Sequence, residues 1–418
     1  MSGLPPESVR REALARARAR MGALFRDNQV LGRRNAIGCV ALEITQRCNL
    51  DCTLCYLSES SEQVKDLPLP EVFRRLQAIR AEFGVPTAVQ ITGGDPTLRR
   101  RDELVEIVRR TRELGLLPTL MTNGILATRD LLEELAKAGL NDVAFHVDVT
   151  QKRRGYATER DLHAVREEYI DRVRGIPVAV IFNTTVCLQN FEEIPDIVRF
   201  FRRHADVVGM ASFQLQADTG RGVLRARDAV ISLESVRRAI AEGAGTRISW
   251  DTMLIGHPAC HRIGYTLEAN GNLYDFADDP ALFNRFLADF KDVLLDRRDP
   301  RRAVLALLRE GLRRPAWLAR AVSFFAPKLW QMRRDLVRSR GRVHKLSFFV
   351  QNFMDATSLD PERIHACSFM VQTAEGPVSM CAHNARRDEF ILKPLPIAAA
   401  GESKLWDPLS GRLLPVHP

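Results

Sequence analysis

No run of 18 or more uncharged apolar residues occurs in this chain of 418 residues, so no membrane-crossing helix is expected. Met1–Arg34 lacks the apolar core of a secretory signal and reads as a basic helix. A disulfide framework is missing as well. The eight cysteines stand at 39, 48, 52, 55, 187, 260, 367 and 381, unevenly scattered and with three of them inside eight residues. That spacing fits metal-bound thiolates in a reducing cytoplasm better than paired bridges. Low-complexity tracts and repeats at solenoid periods are also absent. With 45% apolar and 27% charged residues the chain is not disordered, and its length allows two or three domains.

Acidic residues are scarce in two places. Arg297–Lys345 carries 15 basic against 3 acidic side chains, and Met1–Arg34 carries 8 against 3, so the remainder is net acidic although the whole chain is +9. Nucleic acid, a phosphorylated substrate or an anionic membrane surface would each suit such tracts. In the longer one, Trp317, Phe324, Phe325 and Trp330 lie among the arginines, and Leu318, Val322, Phe325 and Leu329 recur at helical spacing. That pattern describes an amphipathic helix on a membrane surface. It equally describes a helical insertion that packs its aromatics on the fold and keeps a solvated basic face. Nucleic acid is not expected, because the aromatics cluster with aliphatics instead of forming a stacking stripe.

From Cys39 to about Gln216, β-rich runs alternate with amphipathic helical stretches. The runs are Val40–Thr45, Thr87–Thr92, Pro118–Thr122, Asp142–Val149, Val178–Val186 and Val207–Gln216, and a further helix is expected over Leu233–Glu242. Such alternation predicts an α/β fold with a parallel sheet and right-handed crossovers, here a partial, TIM-like (β/α)6 barrel. Beyond it, hairpins are expected over Ile248–Phe276, then a helical tract broken by Pro300, Pro315 and Pro327. A hairpin should follow at Cys367–Cys381 and an irregular tail from about Leu392. The expected organisation is a basic helical segment over 1–38, a barrel over 39–245, and a C-terminal α+β domain over 246–418.

The strongest motif is Cys48-Asn-Leu-Asp-Cys52-Thr-Leu-Cys55, placed directly after the first strand. Three thiolates this close can hold three corners of a [4Fe–4S] cluster and leave one iron open for chemistry. A zinc knuckle short of one ligand, or three unrelated cysteines, would be the plainer readings. The second strand then ends in Thr92-Gly93-Gly94-Asp95-Pro96-Thr97, where paired glycines allow close backbone approach and an acidic group could receive an ammonium.

At these residues the chain resembles the radical S-adenosylmethionine (SAM) superfamily. The resemblance implies that Cys48, Cys52 and Cys55 ligate the cluster and that its free iron takes the amino and carboxylate groups of SAM. Gly93, Gly94 and Asp95 match the family's glycine-glycine-glutamate motif, with Asp in place of Glu, and Leu54 replaces the commoner aromatic residue. Thr122, Asn123, His146 and Asp148 sit where the family binds the rest of the cofactor, or else cap the following helices. The implied chemistry is reductive cleavage of SAM and hydrogen abstraction from an unactivated C–H bond.

Cys260, Cys367 and Cys381 are expected to hold a second, auxiliary [4Fe–4S] cluster, similar to the C-terminal cluster domains of many such enzymes; three buried structural thiols are the alternative. The fourth ligand could be Cys187, Cys39, His261, His383 or substrate. Phe348–Asp355, His365-Ala-Cys367 and Gly376–Asn384 resemble the tetraether lipid synthase branch, although Met1–Gly38 lacks any cysteine. An apolar chain at a membrane surface is therefore the first expected substrate class, with peptide or nucleotide-derived substrates second. A non-enzymatic iron–sulfur or zinc protein is a distant third. Ferredoxin or flavodoxin would supply electrons, in the cytoplasm or at the inner membrane surface.

Overall fold

Six of the alternating runs form parallel strands in one sheet: β1 (Cys39–Thr45), β2 (Ala88–Gly93), β3 (Leu117–Thr122), β4 (Asp142–His146), β5 (Ala179–Val186) and β6 (Val208–Leu215). The computed structural model describes residues 7–223, 231–399 and 402–415. Parts of the expected N-terminal segment (1–6), barrel (224–230) and tail (400, 401, 416–418) lie outside them. A first helix, α1 (Glu7–Met21), precedes the sheet. Between and after the strands run α2 (Leu69–Phe83), α3 (Arg101–Glu113), α4 (Arg129–Ala138), α5 (His163–Val173), α6 (Ile194–Arg203) and α7 (Leu233–Ala244).

Each helix forms where its apolar spacing matches 3.6 residues per turn. In α3, for example, Leu104, Val105, Ile107, Val108 and Thr111 are the buried residues. Thr128 caps α4 by accepting from the Leu131 N–H, and Gly139 ends it in the left-handed region at φ 106°. On the strands, Leu42, Ile91, Leu120, Val143, Phe145, Phe182 and Phe213 share the face covered by helices and are fully or almost fully buried. The core lies there, with the Phe145 ring 5.1 Å from Tyr169 of α5 and the Phe182 ring 5.1 Å from Phe201 of α6.

The sheet does not stop at the sixth strand. A hairpin of β7 (His261–Ala269) and β8 (Asn272–Asp275) turns at Asn270-Gly271. Then follow β9 (His344–Asn352), β10 (Phe369–Gln372) and β11 (Pro377–Ser379). β9 pairs parallel with β6, and β10 pairs parallel with β1, which makes eight parallel strands. The expected division at 245 therefore separates two stretches of chain but not two sheets. Antiparallel β7–β8 and β11 form the outer edges, so the barrel stays open as a ladder. Side chains bridge the seam instead: His261 is 2.7 Å from the Ser368 hydroxyl, and its ring meets Phe369 edge-on at 4.7 Å.

Two local expectations are corrected. The tail is a three-stranded antiparallel sheet of β12 (Leu395–Ala399), β13 (Glu402–Trp406) and β14 (Leu413–Pro415). Leu395, Ile397 and Trp406 bury one another there, and Pro396 is tolerated because β12 is an edge strand. In the basic tract lie α8 (Pro280–Asp289), α9 (Pro300–Leu312) and α10 (Pro315–Arg338). Pro300 and Pro315 begin helices, as expected of residues without a free N–H, but Pro327 lies inside the uninterrupted α10. It stands on the exposed side of that helix, so its ring disturbs no packed neighbour.

Candidate active site at the mouth of the barrel

The cysteine loop leaves the C-terminal end of β1 and is fastened to the chain at or beyond the ends of β2, β3, β4 and β6. Gly94 and Asp95 donate their N–H groups to the carbonyls of Thr45 and Arg47, at 3.0 and 2.8 Å. A Cβ on Gly93 would stand 1.8 Å from the Thr45 carbonyl oxygen, and one on Gly94 2.0 Å from that of Arg47. The paired glycines thus make a close approach, and what they approach is the root of the cysteine loop. Asn123 Nδ2 donates to Asn49 Oδ1 at 2.6 Å and lies 3.9 Å from the Cys48 sulfur. Thr53 donates N–H to the Thr150 carbonyl beyond β4 at 2.8 Å, and Gly222 beyond β6 donates to Cys55 at 2.9 Å.

The three thiols are near enough to act on one another. Burial first, then Asp95 and Cys55, push the Cys48 thiol up; burial, Asp148 and the other two cysteines do the same to Cys52. Sulfurs that resist ionising together become thiolates when a cationic centre holds them. The donor set therefore fits an iron–sulfur cluster. Among the described residues no three cysteine, histidine or acidic side chains converge on a single metal ion. In a cluster each thiolate takes its own iron, so the sulfurs need not converge on one point.

Asp95 is not an open acceptor. It is 1% exposed, and its carboxylate receives the Thr97 N–H and hydroxyl, the Thr122 hydroxyl and the Asn123 N–H at 2.5 to 3.1 Å. It locks the end of β2 to the end of β3 instead of waiting for an ammonium. Asp148 likewise is fully buried and caps the turn Val149–Gln151, accepting from Thr150 and Thr185. Burial alone would raise its carboxyl, but His146 and these hydrogen bonds outweigh burial and hold it below the usual range. His146 Nε2 lies 2.7 Å from Asp148 and 3.1 Å from the Thr185 hydroxyl. Of these four candidate cofactor residues His146 is partly open, whereas Thr122, Asn123 and Asp148 are buried and hydrogen-bonded to their neighbours.

The strand face opposite the core is mixed, with Met121, Ile181, Met210 and Phe349 among polar side chains. Register places Glu43, Thr92, His146, Asn183, Ser212 and Gln351 on it, toward the barrel lumen. Glu43 is held by Arg387 and Gln46. Burial would raise Glu43, but Arg387, His383 and the hydrogen bonds bring it down to about 2. Asn183 Nδ2, Gln216 Oε1 and Ser347 Oγ are buried without a hydrogen-bond partner among the described residues.

The C-terminal cysteines meet at the seam. The Cys381 thiol is pushed up to about 12 by burial and by Cys367 and Cys260 beside it. Arg363 Nε donates to the Cys260 sulfur at 3.3 Å, and the Met354 N–H to that of Cys381 at 3.5 Å. Cys39 is buried next to Cys367, whereas Cys187 sits at the end of β5 beside Asp148 and Glu159. His261 Nδ1 and His383 Nδ1 are buried without partners among the described residues, and His383 is stacked on Phe390.

Sequence reasoning missed the Glu43–Arg387 pair, whose members are 344 residues apart and carry no local signal. It also missed Arg221, which is flanked by Gly220 and Gly222 immediately after the sixth strand; that punctuation was the available clue.

The family described as the Radical SAM superfamily matches residues 42–201. The chain is 30% identical over 186 residues to 7,8-dihydro-6-hydroxymethylpterin dimethyltransferase of Methanocaldococcus jannaschii, covering 43% of this chain and 36% of that one. It is 33% identical over 166 residues to a PqqA peptide cyclase of Bradyrhizobium diazoefficiens, covering 38% and 42%. Among solved structures it is similar to Streptococcus suis SuiB bound to precursor peptide SuiA, with a TM-score of 0.38, 18% identity, and 54% and 48% covered. The chain spans less than half the length of these relatives. The stretch that begins in β1, carries the cysteine loop and ends in α6 thus carries a Radical SAM superfamily domain.

Proposed function

We infer that this protein is a radical SAM enzyme acting on a substrate whose reacting portion carries hydrogen-bonding groups. The observation that carries the substrate class is a set of buried polar atoms on the lumen side, those of Asn183, Gln216 and Ser347, that find no partner among the described residues. Such atoms cost free energy against an apolar chain and are satisfied by a polar guest. The relatives named for a hydroxymethylpterin and for a peptide support the same class.

A [4Fe–4S] cluster on Cys48, Cys52 and Cys55 with SAM would supply an electron, and cleavage of the sulfonium a 5′-deoxyadenosyl radical that takes hydrogen from a C–H bond. The chain's own part is placement. Gly93, Gly94 and Asp95 hold the cysteine loop to the strand ends, Asn123 ties it to the end of β3 through Asn49, and the partly open His146 turns its ring toward the mouth. The buried Glu159–Arg166 pair supports the turn after β4 from behind. An external one-electron donor such as ferredoxin or flavodoxin belongs to this reading. The grouping of Cys260, Cys367 and Cys381 supports an auxiliary cluster.

An association with an anionic membrane surface is supported by the exposed side of α9 and α10, where Leu312 is 73% and Trp330 70% exposed. The tract is fastened at the other end of the barrel, by Arg297 on Asp142 at the start of β4 and by Asp335 on the β7–β8 turn. Docking there would serve as an anchor and leave the cysteine mouth away from the lipid. An apolar substrate drawn from that surface fits this arrangement less well.

Iron and sulfide are to be counted on anaerobically purified wild type and on the Cys48/Cys52/Cys55 triple alanine variant. About eight irons falling to about four is expected for two clusters. A wild type with zinc and no iron after reconstitution would overturn the radical mechanism; four falling to none would remove only the auxiliary cluster.

A further inference from the structure

After β6 the chain crosses back over the cysteine loop as a short strap, Thr219–Gly222. Its backbone lies flat on that loop: Arg221 donates N–H to Leu57 at 2.8 Å, and Gly222 to Cys55 at 2.9 Å. A Cβ on Gly220 would meet the Tyr56 carbonyl at 2.5 Å, and one on Gly222 the Cys55 nitrogen at 1.9 Å. Only glycine permits this approach, and the residue it delivers between the two is an arginine. The Arg221 side chain is 10% exposed, with Nη1 on Glu62 Oε1 at 2.9 Å and Nη2 3.7 Å from Asp51. Its Nε and Nη2 are buried and, among the described residues, reach no oxygen acceptor; the Cys55 sulfur is the acceptor that stands beside the guanidinium.

A largely buried guanidinium whose remaining donors face a neutral thiol, with Asp51 no nearer than 3.7 Å, is better satisfied when that sulfur carries negative charge. Glu62 occupies one edge of the fork and fixes its direction. The other edge faces the place where Cys55 becomes a thiolate.

We propose that Arg221 is a positioning residue for the cluster, delivered by the glycine strap so that its free edge donates to the Cys55 thiolate or to the cluster sulfur next to it. The proposal rests on the radical SAM reading of the cysteine loop. Its consequence is electrostatic. Reduction adds an electron to an anionic cluster, and a fixed positive charge with donors on the sulfurs favours the reduced form. Arg221 thereby makes the cluster easier to reduce, and by tying β6 to Cys55 it keeps the open iron aligned with the lumen.

The test uses the full chain, reconstituted anaerobically, as wild type, Arg221→Lys and Arg221→Met. Iron and sulfide per chain and the thermal midpoint are measured first, then the cluster's potential by a redox titration followed by electron paramagnetic resonance. Arg221→Met is expected to keep its fold and bind iron while its titration moves to lower potential. About tenfold less reduced cluster at a given poise, or about 59 mV for one electron, is the expected size. Arg221→Lys should recover most of that shift, which a merely structural role would not explain. Wild-type potential in Arg221→Met would overturn the proposal, as would an unrecovered shift in a well-folded Arg221→Lys. If Arg221→Met fails to fold, Arg221→Lys decides against Arg221→Gln on the same criteria. A wild type that binds no cluster at all would overturn the family reading itself.

Discussion

Gly94 tests how much a single missing methyl group matters at the mouth. Its Cβ would lie 2.0 Å from the Arg47 carbonyl oxygen and 2.4 Å from the carbonyl carbon, both backbone atoms that cannot swing aside. Gly94→Ala should destabilise by about 1–3 kcal/mol, the range for overpacking, and lower iron per chain because the cysteine loop is displaced. Gly209→Ala, whose Cβ would find its nearest neighbour at an ordinary 3.8 Å, should change neither. Urea unfolding and iron analysis on the two variants check this. His163 offers a pH test away from the mouth. Burial, then Arg166 and Arg203, bring its imidazole down to about 3, and the ring stacks on Phe200 at 4.2 Å. An unfolded histidine titrates near about 6.5, so the unfolded chain gains the proton first on acidification. The contribution is whole above about pH 6.5 and is lost as pH falls toward 3. Urea midpoints between pH 7 and 5 should therefore drop less steeply in His163→Gln than in wild type.

Among the elements, α10 separates two kinds of sequence signal. Its buried side carries Trp317, Met332 and Asp335, while Val322, Leu329, Trp330 and Val337 face solvent. The aromatics were visible in the sequence as one group, but only packing divided them: Phe324 goes to Phe276 and Phe283, and Trp330 stays outside under Arg333. No described helix is long and apolar enough to cross a membrane, so lipid contact would have to be lateral. Full chain should sediment with vesicles containing anionic phospholipid and less with neutral ones, and Leu329→Glu with Trp330→Glu should abolish it. Equal sedimentation of the variant would exclude α10 as the docking element. The six β/α units were legible because period two and period 3.6 alternate cleanly there. The strands of the tail were not, because Pro394 and Pro396 mask a short alternation that becomes a strand only once Trp406 packs against it.

At the scale of the molecule, the sheet joins stretches far apart in the chain. β10 lies on β1 with Cys39 opposite Phe369, and β9 lies on β6 with Leu215 opposite Asn352. A chain ended at residue 245 would expose both flanking strands of the six-stranded sheet and the apolar side of β6. It should be insoluble or rapidly proteolysed, whereas a separable domain would give a sharp thermal transition; limited proteolysis and calorimetry tell the two apart.

By itself the sequence determined the chemistry-bearing loop and the six alternating units, since both are local: ligand spacing and side-chain periodicity need no distant partner. Tertiary structure alone decided the rest. It closed β9 and β10 onto the sheet and gathered Cys260, Cys367 and Cys381 at one seam. It also spent the carboxylate of Asp95 on the strand ends and brought Arg221 to Cys55. Those outcomes depend on which polar groups find partners once water is excluded, and partners many residues apart leave no local trace.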